Sequence, residues 1–359
     1  MRASLHTRSY ALRRPFRSSG WEITAREVLL LQLSDDRGNS GWGEAAPLPA
    51  FGTETRADAM RILEEVTSSS SLVATDAEGM LTEMDAAFPA LTDTPTARFA
   101  LESALRDLRA RQENIRLSRA LGGESARARI PVNAVAGGGT AEEAARAALD
   151  AVQEGYRCIK MKVGAADPEE DVARIRAVRA VMAPDMTLRL DANGAWDFGT
   201  AEEAMRLFQP YGIEYIEQPV PAEDVDELAA LTGLGIMPVA ADEAAQNLAR
   251  ARELMERGAA DLLVIKPMAA GGLAAVRDFT IEAHAAGMDV VLTSFVDSAV
   301  GRAAVAQLCA SLPFPLRAQG LSTGTLFAQD SARDRIAGGQ MLLPGGAGIG
   351  FTPDIGDST

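Results

Sequence analysis

The sequence predicts an α/β protein in two parts: a barrel of eight parallel strands alternating with helices over residues 129–322, preceded by an α+β domain over residues 1–128. Three observations carry this. Short β-branched runs alternate with amphipathic, alanine-rich stretches through the later chain. Charged residues close several of those runs at nearly constant spacing, and the first 128 residues follow neither pattern. At 359 residues the chain exceeds the usual size of a single core, and 47% apolar against 24% charged residues excludes a largely disordered chain.

The predicted strands are VNAVA from Val132, RCIKMKV from Arg157, TLRLDA from Thr187, EYIEQ from Glu214, PVAAD from Pro238, DLLVIK from Asp261, DVVLTS from Asp289 and PLRAQG from Pro315. Between them, stretches starting at Ala141, Pro168 and Gly272 have helical apolar spacing, and several open with acids suited to a helix N-terminus. Strict alternation implies a parallel sheet, and eight strands imply closure. An open doubly wound sheet is disfavoured because no GxGxxG follows the first strand. Upstream, YALRRPF, WEITAREVLLLQLSD and GWGEAAP read as a strand meander, with helices around 56–67 and 96–120. The glycine-rich tail, residues 323–359 with GGQMLLPGGAGIGF, is expected to pack back on the N-terminal domain.

Fifty acidic against 35 basic residues give a formal charge of −15, a balance that repels nucleic acid and anionic membrane surfaces. Cys158 and Cys309 stand far apart without a CxxC, so neither a disulfide framework nor a zinc site is expected. No apolar run is long enough to cross a bilayer. Five arginines in the first twenty residues come without the apolar core of a secretory signal, so a cytoplasmic protein is expected.

Only three of the 35 basic residues are lysines: Lys160, Lys162 and Lys266. Lysine, unlike arginine, can give up its proton in a suitable environment. With just two histidines, His6 and His284, proton transfer in any active site falls to lysines and carboxylates. Lys160 and Lys162 lie two apart on a predicted strand and so share a face, where paired cations depress one another's pKa.

Asp191, Glu217 and Asp242 each end a predicted strand, and the steps from Lys162 through these three to Lys266 are 29, 26, 25 and 24 residues, one β/α unit each. Successive units set these ends side by side at the barrel mouth, where this architecture places its active sites. Any one acid could merely cap the following helix. Three in register between lysines instead call for a cation, and hard oxygen ligands suit Mg²⁺ better than zinc. Asn193, on the face of Asp191, and Glu243, next to Asp242, are assigned to orienting those ligands.

The set KxK, DANG, EQP, ADE and IKP on successive strands resembles the enolase superfamily, specifically its muconate-lactonizing subgroup, and the resemblance spans nearly the whole chain. It implies a modified (β/α)7β barrel, an N-terminal capping domain completed by the C-terminal tail, and Mg²⁺, with Mn²⁺ able to substitute. It also implies lysine-mediated removal of a proton α to a carboxylate, with the enediolate stabilised by the metal. GWGEAAPLPAFGTET from Gly41 resembles a capping loop, and residues 17–20 and 49–53 are expected to close over the substrate.

Among the reactions such a site supports, TSFVDSAVGRAAVAQL and AQGLSTGTLF resemble the o-succinylbenzoate synthase family, dehydratases of menaquinone biosynthesis. By that likeness Lys162 is the base, Lys160 tunes it and Lys266 remains cationic. Ser294, Gly320, Ser322 and Thr323 would offer donors and close backbone approach to a small carboxylated substrate. Epimerases of the subgroup usually carry an acidic DxD at the eighth strand, where this chain has GLSTGTL. N-acylamino acid racemisation or dipeptide epimerisation, with Lys162 and Lys266 as opposed bases, is the alternative. A Schiff base on Lys266 is a third chemistry.

Overall fold

The computed structural model describes residues 1–18, 21–68, 77–122, 127–332 and 334–355. Strands β1 (Arg2–Ser18), β2 (Trp21–Ser34) and β3 (Ser40–Ala45) form an antiparallel sheet in that order. The unbroken apolar run of β2 is explained by burial on both faces. Leu29, Leu31 and Leu33 pack into the core of this domain, and Val28 and Leu30, of opposite parity, join the barrel core. Helices α1 (Arg56–Ser68), α2 (Ala77–Ala87), α3 (Pro95–Gln112) and the short α4 (Leu117–Ala120) complete the domain. Of these, α2 is absent from the sequence reading.

After β4 (Arg129–Pro131) the chain enters the barrel. Strands β5 (Ala134–Ala136), β6 (Cys158–Lys162), β7 (Thr187–Asp191), β8 (Ile213–Glu217), β9 (Val239–Ala241), β10 (Leu262–Ile265) and β11 (Asp289–Leu292) form one parallel sheet in chain order. The helices between them are α5 (Ala141–Gln153), α6 (Pro168–Val181), α7 (Phe198–Phe208), α8 (Val225–Gly233), α9 (Leu248–Glu256) and α10 (Leu273–Ala285), with α11 (Ala299–Ser311) after β11. A capping box at Thr140 and Glu143 starts α5, and Asp167 and Asp197 cap α6 and α7.

The eighth predicted strand is reduced to two residues. Gln319 bridges Val132 and Gly320 bridges Thr293, which closes the ring between β5 and β11. Pro313 and Pro315 lack the N–H that a longer ladder needs, and Arg317 turns to the rim, reaching Asp289 and Glu214 at 2.6 Å each. Gly320 is required by close approach: a Cβ there would lie 2.3 Å from Thr293 Oγ1.

The tail ties the two parts together. β12 (Ile336–Ala337) and β13 (Gln340–Leu342) extend β4 into a small antiparallel sheet. Gly348 bridges Arg116, and Ile349 N donates to Asp107 on α3 at 2.6 Å. Two carboxylates of the N-terminal domain cap barrel helices. Glu44 accepts from Ser298 N and Gly301 N at 2.8 Å at the start of α11, and Glu102 from Leu273 N at 2.8 Å and Ala274 N at 3.0 Å at the start of α10. Among the described residues no helix is long and apolar enough to cross a membrane.

Candidate active site

At the C-terminal ends of the strands the barrel opens into a cleft that contains every residue singled out by spacing. Lys160, Lys162, Asp191, Asn193, Glu217, Asp242, Glu243, Lys266, Ser294, Gly320, Ser322 and Thr323 all line it. The ladder explains much of this convergence, because Lys162 pairs with Asp191 and Asp191 with Glu217 across adjacent strands. The three carboxylates are buried, at 2%, 1% and 7% exposure for Asp191, Glu217 and Asp242.

Lys160 bridges two of them, 2.6 Å from Glu217 Oε1 and 2.9 Å from Asp191 Oδ2. Burial opposes its charge, but Asp191 and Glu217 outweigh burial and hold the ammonium well above its ordinary range. The direction is opposite to the mutual depression expected of the lysine pair, because each lysine turns to a separate partner. Lys162 donates to Asn193 Oδ1 at 2.7 Å, and Asn193 Nδ2 donates to Glu243 Oε1 at 3.0 Å. Lys266 is ion-paired with Asp242. Burial, reinforced by Asp191 and Asp242, pushes Glu217 up to about 8 against the pull of Lys160, and burial with Asp242 pushes Glu243 up to about 7. β6 and β10 are separated by β7, β8 and β9, half of the ring, so Lys162 and Lys266 enter the cleft from opposite sides.

The N-terminal domain supplies the roof. Phe16 on β1 places its ring 5.3 Å from Lys162 Nζ, and Phe51, on a 3-10 turn at Pro49–Phe51, places its ring 4.4 Å from Lys266 Nζ. Gly52 follows at φ 95°, where a Cβ would strike Gln246, whose amide donates to the Phe51 carbonyl. Of the two segments expected to close over the substrate, 49–53 contributes Phe51 to the lining of the cleft. In the other, residues 19 and 20 lie outside the described residues.

Sequence reasoning missed the apolar wall of Phe16, Leu48, Phe51, Val135, Phe295 and Val296, and the floor residue Tyr215. Tyr215 was accessible by parity, being two before Glu217. Phe51 fell within the loop 49–53 without being singled out, and Phe16 and Phe295 had no such signal, since their place depends on how the domains meet. Gln218 was missed as well: its Oε1 accepts from Asp242 N and Ala244 N at 3.1 Å, which fixes the turn carrying Asp242. Ser294 and Thr323 share a hydrogen bond of 2.5 Å between their hydroxyls.

Among the described residues no three His, Cys, Asp or Glu side chains close into a ready metal cage, because lysines occupy the carboxylates. The donor set nonetheless fits a hard divalent cation. Three buried carboxylates at adjacent strand ends face one cleft, and their mutual repulsion, visible at Glu217, is what such a cation would relieve.

A parallel barrel with acids and lysines at its mouth and a second domain as its roof defines the class: a barrel enzyme with a capping domain. The family model described as enolase C-terminal domain-like matches residues 142–358, and that of the MenC N-terminal domain matches residues 18–107. The chain belongs to the enolase superfamily. Muconate cycloisomerase 1 of Rhodococcus opacus is 31% identical over 94% of this chain and 91% of its own length. An o-succinylbenzoate synthase of Thermobifida fusca is 36% identical over 60% of this chain and 66% of its own. Among solved structures, a dipeptide epimerase from Cytophaga hutchinsonii, complexed with Mg and the dipeptide D-Ala-L-Val, superposes with a TM-score of 0.86 at 26% identity, covering 98% of this chain and 95% of that one.

Proposed function

We propose that the protein is a Mg²⁺-dependent o-succinylbenzoate synthase, eliminating water from 2-succinyl-6-hydroxy-2,4-cyclohexadiene-1-carboxylate. The observation that carries this reading is the chemistry of the cleft outside its ring of acids and lysines. That wall is apolar and hydroxylic, from Phe16, Leu48, Phe51, Val135, Phe295 and Val296 to Ser294 and Thr323. The carboxylates among the described lining residues are Asp191, Glu217, Asp242 and Glu243, each engaged with a lysine or Asn193. Three of these are the ligands assigned to the cation, and the eighth-strand position brings Gly320, Ser322 and Thr323 to the cleft with no acid to hold a substrate ammonium, so a carboxylated ring without an ammonium is the better occupant.

Asp191, Glu217 and Asp242 would hold Mg²⁺ or Mn²⁺, which when bound offsets charge developing on the substrate carboxylate. Lys162, oriented by Asn193, takes the α-proton and delivers it to the departing hydroxyl, so that a carbon–carbon double bond forms and water leaves. Lys266 stays protonated beside Asp242 and faces the opposite side of the substrate. Lys160 holds Asp191 and Glu217 together beneath it. Phe16 and Phe51 keep water from the two working lysines.

The opposed entry of Lys162 and Lys266 favours a second reading, two-base racemisation of an N-acylamino acid or epimerisation of a dipeptide. The test is one preparation with Mg²⁺, assayed for dehydration, N-succinylamino acid racemisation and dipeptide epimerisation. The first reading expects the highest kcat/KM for dehydration. Faster racemisation or epimerisation would replace it with the second.

A further inference from the structure

Val296 has φ 53°. A β-branched residue in the left-handed region is a conformation that its surroundings must impose. It lies in the loop between β11 and α11, whose Ser294, Phe295 and Val296 line the cleft. Arg26 reaches that loop from the capping domain. Carried on β2 and only 3% exposed, Arg26 donates from Nε to Val296 O at 3.2 Å and from Nη2 to Phe295 O at 3.3 Å. The same guanidinium donates to Pro47 O at 2.8 Å and Ala46 O at 2.5 Å, in the segment leading into the turn that carries Phe51. One buried arginine thus fastens a barrel loop and a capping-domain segment at once.

The rings continue the connection. The Arg26 guanidinium carbon lies 5.7 Å from the centroid of Phe295, and Phe295 meets Phe51 edge-on at 5.1 Å. Phe51 in turn lies 4.4 Å from Lys266 Nζ. We infer that Arg26 is a positioning residue: it imposes the left-handed conformation of Val296 and thereby sets the Phe295–Phe51 wall that covers Lys266 and receives the apolar part of the substrate. From the barrel side Asp297 Oδ1 braces the same loop by accepting from Phe295 N at 2.5 Å. Without Arg26, Val296 relaxes to negative φ, Phe295 follows, and the wall moves although no group contacting the substrate has been changed. The inference rests on the cleft being the catalytic site and not on which reaction runs there.

The test is a double-mutant cycle of Arg26→Ala and Val296→Gly, since glycine adopts positive φ without the clamp. A wall displaced by about 1 Å costs on the order of 100-fold in kcat/KM, the loss expected for Arg26→Ala alone. In the Val296→Gly background the same change is expected to cost under about 10-fold, because the loop conformation no longer depends on Arg26. Equal losses in both backgrounds would overturn the inference. Hydrogen exchange on the free proteins gives a reading independent of any substrate. Arg26→Ala should speed exchange in both 46–51 and 294–298 while β6 to β10 stay protected. Uniform loss of protection would mean a merely structural residue. If Arg26→Ala does not fold, Arg26→Lys, which keeps the charge but cannot span all four carbonyls, is measured in the same cycle.

Discussion

The floor and the roof of the cleft are built by different rules. On the floor, charged groups stand at or just beyond the ends of β6 to β10, and a parallel ladder fixes their neighbours, Lys162 beside Asp191 beside Glu217. The roof is assembled from irregular pieces: Phe16 near the end of β1, Phe51 on a 3-10 turn, and Phe295 and Val296 on a loop. A ladder cannot shift one residue without turning every side chain over. Loops can change their apolar content and leave the scaffold intact. The floor therefore suits chemistry and the roof suits selection among substrates.

That contrast orders the expected effects. Replacing Asp191, Glu217 or Asp242 by Ala should lower turnover by about 1,000-fold or more, since each removes a fixed charge from a buried site. Circular dichroism and melting should show the barrel still folded. Chelation of the wild type should give the same loss, reversed by Mg²⁺ or Mn²⁺, and full turnover after exhaustive chelation would contradict the metal assignment. On the roof the effect should be smaller and of another kind. Phe51→Ala is expected to raise KM about 10-fold, some 1.4 kcal/mol of binding, with kcat changed less. A loss confined to kcat would place Phe51 with the floor.

Where roof meets barrel the expected effect is on stability and leaves turnover aside. Burial, with Glu44 next, pushes the Asp297 carboxyl from 3.8 up to about 8. Between those values the folded chain keeps a proton that the unfolded chain has lost, so stability is present at low pH and falls as pH rises through about 8. The urea midpoint should therefore decline from pH 5 to 9 on this account. Asp297→Asn, which keeps the acceptor for Phe295 N, should flatten the decline. An unchanged slope would show that the charge is accommodated.

The same contrast explains what could be read from the sequence. Strand parity and the one-unit step located Lys160, Lys162, Asp191, Glu217, Asp242 and Lys266, because both are properties of a ladder that local sequence dictates. The run at Pro315 was over-read: with Pro315 lacking an N–H and Arg317 turned to Asp289 and Glu214, it pairs only through the bridges at Gln319 and Gly320. Arg26 and Phe295 were invisible, and Phe51 was reached only as part of the loop 49–53. Nothing about TAREV or PLPAF says which barrel loop will lie against them. The partners of Lys160 were equally hidden, since the sequence puts it beside Lys162 and the fold gives it to Glu217 and Asp191.

The proposed dehydration gives the proton transfer to one lysine and leaves the opposite one to supply only charge. It is tested most directly by measuring the Mg²⁺-supported dehydration rate of Lys162→Arg and Lys266→Arg side by side. Guanidinium keeps the charge and cannot act as a base. Lys162→Arg should lose about 100-fold to 10,000-fold, the share of a general base, while Lys266→Arg should retain measurable elimination. Equal loss in both, with both folded and binding Mg²⁺, would contradict the account and require two-base chemistry.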